Sequence, residues 1–368
     1  MAVKLNDVLD VGGAIRLRAD NDERRGIHEV GLDTVILRAN YDDTRWSAGA
    51  SYRYYGKEYP YQYVSHFGDV QFAEYAWLGY AWGDGGKVTA GLDRLPFGLT
   101  PYLSSTFFQS LGNVVGLEDV SMLGIKYAQA MGEWNLQWGY YARRAWAGHG
   151  TSHGATFSIV VTPADPGLEG GSRNDERGLA TARVVRNASL GAWEGEVGAS
   201  ALISTLHNRD THADGRRMAY AVHYAGKHGA WGTKLQYTRQ QILPQNPGDR
   251  RTVSFGGFDG TFNVATRGNF YSGDVSYTLP TSYLGDRLKE VSFYANYSLY
   301  EKSVRNFRNS QRMILGTSFT LRPVWLSLEW LAGRNDPYLG GSGYAQSAAA
   351  GGRNVWTGQL FMNVGYYF

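Results

Sequence analysis

Of the 36 basic residues in the chain, 28 are arginine and 8 are lysine. Arginine stays charged in almost any surroundings, offers a planar fork that fits carboxylate or phosphate, and stacks on aromatic faces. Arg16 and Arg18 alternate with Val11, Gly13, Ile15, Leu17 and Ala19. Ser51, Arg53 and Tyr55 alternate in the same way with Trp46, Ala48, Ala50, Tyr52 and Tyr54. In extended chain this period of two gathers the cations on one face and the apolar residues on the other. Lys126, Arg143, Arg183, Arg217, Lys234 and Arg312 share the cationic parity. At about 5 Å and an effective dielectric near 20, one such charge is worth on the order of 3 kcal/mol to an anion before desolvation. The same face carries Glu74, Asp93, Glu194, Glu196, Asp274, Glu290 and Glu329, which can pair with the cations. It also carries Tyr55, Tyr141, Tyr294 and Tyr300, on which a sugar ring or an aromatic acid could stack. The chemistry on offer is recognition of a solute.

Bond-making has little to work with. The chain has no cysteine, which excludes disulfides and thiolate metal sites. His149-Gly150-Thr151-Ser152-His153 is the one run that brings a hydroxyl near a base, and no carboxylate motif accompanies it. His149, His153, His207 and His212 lack metal-ligand spacing, and Asp20-Asn21-Asp22-Glu23 is at most a thin calcium pattern. No catalytic residue, metal or cofactor is expected, and the arginines follow strand parity rather than forming the single basic patch of a nucleic-acid binder.

The positioning elements are strands. Asn354 to Phe368 sets Trp356, Gly358, Leu360, Met362, Val364, Tyr366 and Phe368 against Val355, Thr357, Gln359, Phe361, Asn363, Gly365 and Tyr367. An apolar face backed by a mixed one suits a strand with lipid on one side and a polar lumen on the other. Hydrophobic content is 43%, mean hydropathy is −0.37, and no run of apolar residues is long enough for a helical span. Alternation predicts sixteen strands, at 8–19, 27–40, 45–57, 69–82, 87–95, 120–130, 134–145, 177–188, 193–204, 216–227, 231–241, 267–279, 288–301, 312–322, 324–333 and 354–368, with 14 or 18 as alternatives. Short turns follow the even strands and longer connections the odd ones. Trp46, Trp77, Trp134, Trp193, Trp231, Tyr277 and Tyr366 near strand ends fit interfacial girdles. The expectation is an all-β, antiparallel transmembrane barrel forming one domain over residues 1–368. Segments 20–26, 58–68, 146–176, 243–266, 302–311 and 334–353 are expected outside. The opening MAVKLNDVLDVGG lacks the apolar core of a signal peptide, so the chain reads as a mature form with a replacement start at Met1.

Along its whole length this pattern resembles the bacterial outer-membrane porins, and the terminal Phe368 resembles the C-terminal signature of such barrels. The most specific stretch lies between strands 5 and 6: Pro96-Phe97-Gly98-Leu99-Thr100-Pro101-Tyr102, then Phe107-Phe108, then Gly116-Leu117-Glu118-Asp119. The resemblance implies that this third loop folds inward and narrows the channel, with Phe107, Phe108, Asn113, Glu118 and Asp119 at the constriction. In such a barrel, strand parity makes Arg16, Arg18, Arg53, Lys126, Arg143, Arg183 and Lys234 the expected pore-lining cations. The resemblance further implies a homotrimer in contact with outer-membrane lipid and lipopolysaccharide, passing small hydrophilic solutes. The arginine bias favours anions such as organic acids, aromatic ones included. A sugar-preferring porin with an aromatic track is the alternative, and an outer-membrane hydrolase using the His149–His153 run a remote one.

Overall fold

A computed structural model of the chain describes all residues except 1, 2, 282, 285, 286, 341 and 342, so the reading of Met1 lies outside the described residues. The alternating segments fold as sixteen barrel strands: β1 (Leu9–Asp22), β2 (Ile27–Asp42), β3 (Trp46–Tyr55), β4 (Val70–Trp82), β5 (Gly86–Arg94), β6 (Ser121–Met131), β7 (Trp134–Arg144) and β8 (Asn174–Leu190), then β9 (Trp193–Asn208), β10 (Asp214–His228), β11 (Trp231–Leu243), β12 (Arg267–Thr278), β13 (Leu288–Lys302), β14 (Ser310–Leu321), β15 (Val324–Arg334) and β16 (Thr357–Tyr367). Each pairs antiparallel with its sequence neighbour, and β16 returns to β1 from Ala14↔Tyr367 to Asn21↔Leu360. Closure leaves no unpaired edge for lipid to meet.

The sides fall as alternation predicts. Leu360 and Tyr366 are exposed outward, whereas Gln359, Phe361 and Asn363 are buried. Several strand boundaries move by a few residues. β16 starts at Thr357 rather than 354, and β8 and β9 run on to an Asn174↔Asn208 pair. That extension is held by side-chain amides, with Asn208 donating to Asn174 (3.1 Å) and Asn174 to Asn246 (2.8 Å). Because lipid meets only the outer parity, Val222→Arg at the exposed middle of β10 should cost about 2–4 kcal/mol, whereas Gln137→Arg on the lumen side of β7 should be tolerated. Heat-modified gel mobility checks this, and equal tolerance at both parities would contradict a lipid-spanning wall.

The external segments depart most from expectation. Residues 146–176 and 243–266 do not simply extend outward. Val160–Val161, Thr252–Gly257 and Gly260–Ala265 form a separate three-stranded sheet. Val161, Phe255, Phe262 and Val264 of this sheet, with Ile159 just before it, are buried in one cluster with loop-3 residues Leu103, Leu111, Val114 and Val115, and with lumen-facing Leu206, Ala219, Ile242, Phe270 and Tyr300 of the wall. A hydrophobic core thus occupies the lumen beside β8–β13. What stays open is a crescent along β1–β3 and β14–β16.

Candidate functional site

The crescent encloses about 630 Å³. Its wall carries Arg16 and Arg18 from β1, Arg38 from β2, and Arg53 and Tyr55 from β3; Phe107, Phe108, Phe157 and Phe258 come from the inserted loops. Arg16 donates to Thr34 Oγ1 (2.8 Å), lies 3.2 Å from Asp33 and stands 5.3 Å from the Phe107 ring centre. Arg18 pairs with Asp20 and lies 5.1 Å from the rings of both Tyr59 and Phe361. Arg53 grips Glu74 through two nitrogens (2.8 and 2.7 Å) and covers Phe157 at 4.4 Å. Arg38 has no hydrogen bond or ion pair among the described residues, and the Nε atoms of Arg16 and Arg38 are buried without a partner. Among Arg16, Arg18, Arg38 and Arg53, three are answered by a carboxylate and Arg38 supplies the excess charge. Alternation along β2 is too blurred by Asp33, Thr34 and Val35 for sequence to single it out.

Loop 3 lies inside the barrel, and the lumen face is built to hold it. A chain segment this long must satisfy its backbone donors and acceptors somewhere. Asp274 accepts from Ser105 N and Oγ (2.9 and 2.7 Å), and Glu329 accepts from Phe107 N and Phe108 N (2.6 and 3.0 Å). Ser200, Gln236 and Ser298 take the N–H groups of Gly98, Leu99 and Leu111. Cations take the carbonyls: Arg183 bonds Gly98 O (2.8 Å), Lys234 Ser104 O (2.8 Å), Arg217 Gly116 O (2.7 Å), and Arg312 the oxygens of Gln109 and Ser110 (both 3.1 Å). Arg183 and Lys234 therefore anchor the loop, while Lys126 sits against Asp93 at 2.5 Å. By parity Asp274 and Glu329 read as inward carboxylates able to pair with the cations; in the structure they clamp the loop. The signal for that role is an inward carboxylate on a strand facing a long loop.

Arg143 needs correction. A bulge pairs Leu123 with Arg143 but Gly124 with Tyr141, leaving Ala142 unmatched. The extra residue reverses parity beyond it. Arg143 consequently faces outward and is exposed, and Arg144 turns inward to donate to His153 O (2.8 Å). Of the four tyrosines, Tyr55 alone borders the crescent. Tyr141, Tyr294 and Tyr300 are buried, bonding Arg94 O, Glu329 and Ala265 O. Elsewhere, Ser152 Oγ donates to Asp165 (2.6 Å) rather than to a histidine, and Asp20 and Asp22 are engaged by Arg18 and Arg25.

Within loop 3, Asn113 is buried in a single helical turn at Leu111–Val114 and borders the crescent. Phe107 stacks on Phe361 at 5.7 Å, and Phe108 meets the same ring edge-on at 5.5 Å. Asp119 is paired with Arg94 and accepts from Gln109 (2.8 Å). Glu118 staples the loop to itself, accepting from Leu103 N (2.8 Å), Ser110 N (3.0 Å) and Ser110 Oγ (2.5 Å). Burial outweighs these bonds and pushes Glu118 up to about 7. A carboxyl raised on folding costs the folded loop stability above that pH, and the cost fades as pH falls toward the ordinary value of 4.5. The Leu103 and Ser110 amides should therefore gain hydrogen-exchange protection, corrected for intrinsic rate, between about pH 8 and about pH 5. Glu118→Gln should remove that gain; a variant with the same pH dependence would exclude Glu118 as its source.

No protein-family model and no curated protein matches the chain. Solved structures do. The outer-membrane channel DcaP of Acinetobacter baumannii superposes with a TM-score of 0.60 at 11% identity, over 100% of this chain and 99% of that one. OmpT of Vibrio cholerae, in a trimer form, gives 0.57 at 13% identity, over 98% and 99%. The anion-selective porin of Comamonas acidovorans gives 0.54 at 13% identity, again over 98% and 99%. At such identities the likeness speaks for fold, and the fold is the closed sixteen-stranded barrel of the outer-membrane porins.

Proposed function

We propose that this barrel is an outer-membrane porin, a passive channel for small hydrophilic solutes that favours anions, in particular organic acids with a flat apolar body. The observation that carries the reading is the crescent itself, with arginines on its wall and phenylalanine rings on the inserted loops facing them. A carboxylate can bond guanidinium donors that the wall leaves open while its hydrocarbon part slides along the rings. Of the four arginines on β1–β3, three are paired with carboxylates and Arg38 is not, and rings of charge set selectivity in channels. No bond is made or broken in such a passage, so the protein acts as a conduit and not as an enzyme. By analogy with the trimer form of the Vibrio cholerae protein, three copies would assemble. The partners would then be outer-membrane lipid and lipopolysaccharide around the assembly and anionic solutes within it. The sugar-track alternative loses most of its support with three of its four tyrosines buried.

The test is a reversal potential across a planar bilayer under a potassium chloride gradient. Anion preference at low salt is expected, together with a drop in current when benzoate is added. A cation preference, or a barrel that conducts nothing, would overturn the reading.

A further inference from the structure

The outward turn of Arg143 places it in a row. Register runs Arg143↔Arg177 between β7 and β8, Arg177↔Thr205 between β8 and β9, and Thr205↔Arg216 between β9 and β10. All four residues are exposed, while the neighbouring Arg144, Glu176 and Arg217 point inward. Arg143, Arg177 and Arg216 have no hydrogen bond or ion pair among the described residues. Carboxylates do stand two residues further along the same face, but both are occupied. Asp175 is held by Arg209 (2.6 and 3.0 Å) and Asp214 by His207 (2.8 Å).

The row stands at the long-loop rim of the lipid-facing wall. Below it on the same strands Trp138, Tyr140, Tyr220 and Val222 are exposed to the bilayer. Arg143 lies three residues beyond Tyr140 and Arg216 four from Tyr220, roughly 10–13 Å along a strand. Rings of that kind mark the hydrocarbon boundary, so the guanidiniums reach headgroup level. Paired strands are about 5 Å apart, which crowds three unanswered cations onto one small patch. A phosphate, with several oxygens and more than one negative charge, suits such a cluster better than a carboxylate does.

We propose that Arg143, Arg177 and Arg216 form a docking site for the phosphate headgroup of a lipid in the outer leaflet. The inference requires the barrel to span a membrane and is independent of what the channel passes.

The experiment uses the full barrel in detergent micelles, offered dioleoyl phosphatidic acid or phosphatidylcholine, with retained lipid counted by native mass spectrometry. Phosphatidic acid should be retained roughly tenfold to a hundredfold more strongly, at about fivefold per basic residue near the surface. The Arg143→Gln, Arg177→Gln, Arg216→Gln variant should lose that preference. The corresponding triple lysine variant should keep much of it. Arg186→Gln, which removes the partner of Glu133 at the opposite rim, should leave it intact. A preference surviving in the glutamine variant would overturn the proposal, as would full displacement of lipid by equimolar inorganic phosphate, which would mark a site for the free anion. Should the glutamine variant fail to fold, the unmodified barrel still decides. Its preference should collapse at molar salt, where the Debye length is about 3 Å, and persistence there would contradict a charge-built site.

Discussion

Arg16→Gln combined with Arg38→Gln is expected to shift the ion preference of the channel toward cations at low salt while leaving the barrel folded. Arg16, Arg18, Arg38 and Arg53 face Asp20, Asp33 and Glu74, four cations against three anions. The double variant leaves two against three on that side, with Lys234 and Arg312 still lining the crescent. Each lost charge is worth on the order of 3 kcal/mol to an anion at about 5 Å, before desolvation and screening. Arg53 is spared deliberately, because Glu74 is buried and stripping its partner would leave an uncompensated carboxylate at a cost of about 3–5 kcal/mol. Asp33 keeps a donor in Thr34 Oγ1 (2.8 Å) when Arg16 is gone. The reversal potential should move toward cations, conductance should rise as two long side chains leave the crescent, and both changes should shrink in molar salt. Unchanged selectivity would remove the basic wall from the mechanism.

Glu329→Ala should loosen the constriction without opening the barrel. The carboxylate is fully buried and holds Phe107 N, Phe108 N and the Tyr294 hydroxyl at 2.6, 3.0 and 2.8 Å. Alanine leaves two backbone donors with no acceptor, at about 1–3 kcal/mol each. That is enough to release the loop tip and the Phe107–Phe361 stack, while the ladders on either side of β15 remain. Single-channel current should become larger and noisier. Glu329→Gln, which retains one acceptor oxygen, should fall between. A quiet, unchanged current would mean that the tip of loop 3 does not limit flow.

The wall was largely legible in the sequence because a transmembrane strand repeats one simple rule, apolar out and polar in. Arg16, Arg53 and Tyr55 could be placed by parity, and Leu360 and Tyr366 likewise. The rule fails where one residue is inserted, and Arg143 sits just past such a bulge. Parity also cannot tell a charge that faces water from one that bonds a loop; Arg183, Lys234, Asp274 and Glu329 belong to the second group. The inner sheet left a readable trace. Val253 and Phe255, then Phe262 and Val264, flank Asp259-Gly260, a hairpin signature with Phe258 and Asp259 at positive φ (50° and 58°). Its place between two barrel strands makes it look like a water-exposed connection, since local pattern carries no information on which side of the wall a loop will lie.

The core packed beside β8–β13 makes the passage lopsided, and lopsidedness has a stereochemical consequence. A round pore lined evenly by one kind of group presents the same surroundings to a molecule and to its mirror image. Here a solute meets guanidiniums, phenylalanine rings, and the hydroxyls and amide of Ser104, Thr106 and Gln109 around one cavity. Three unlike kinds of contact at fixed points are what a chiral selector requires. The two enantiomers of an amphipathic acid such as mandelate should therefore cross this barrel at different rates.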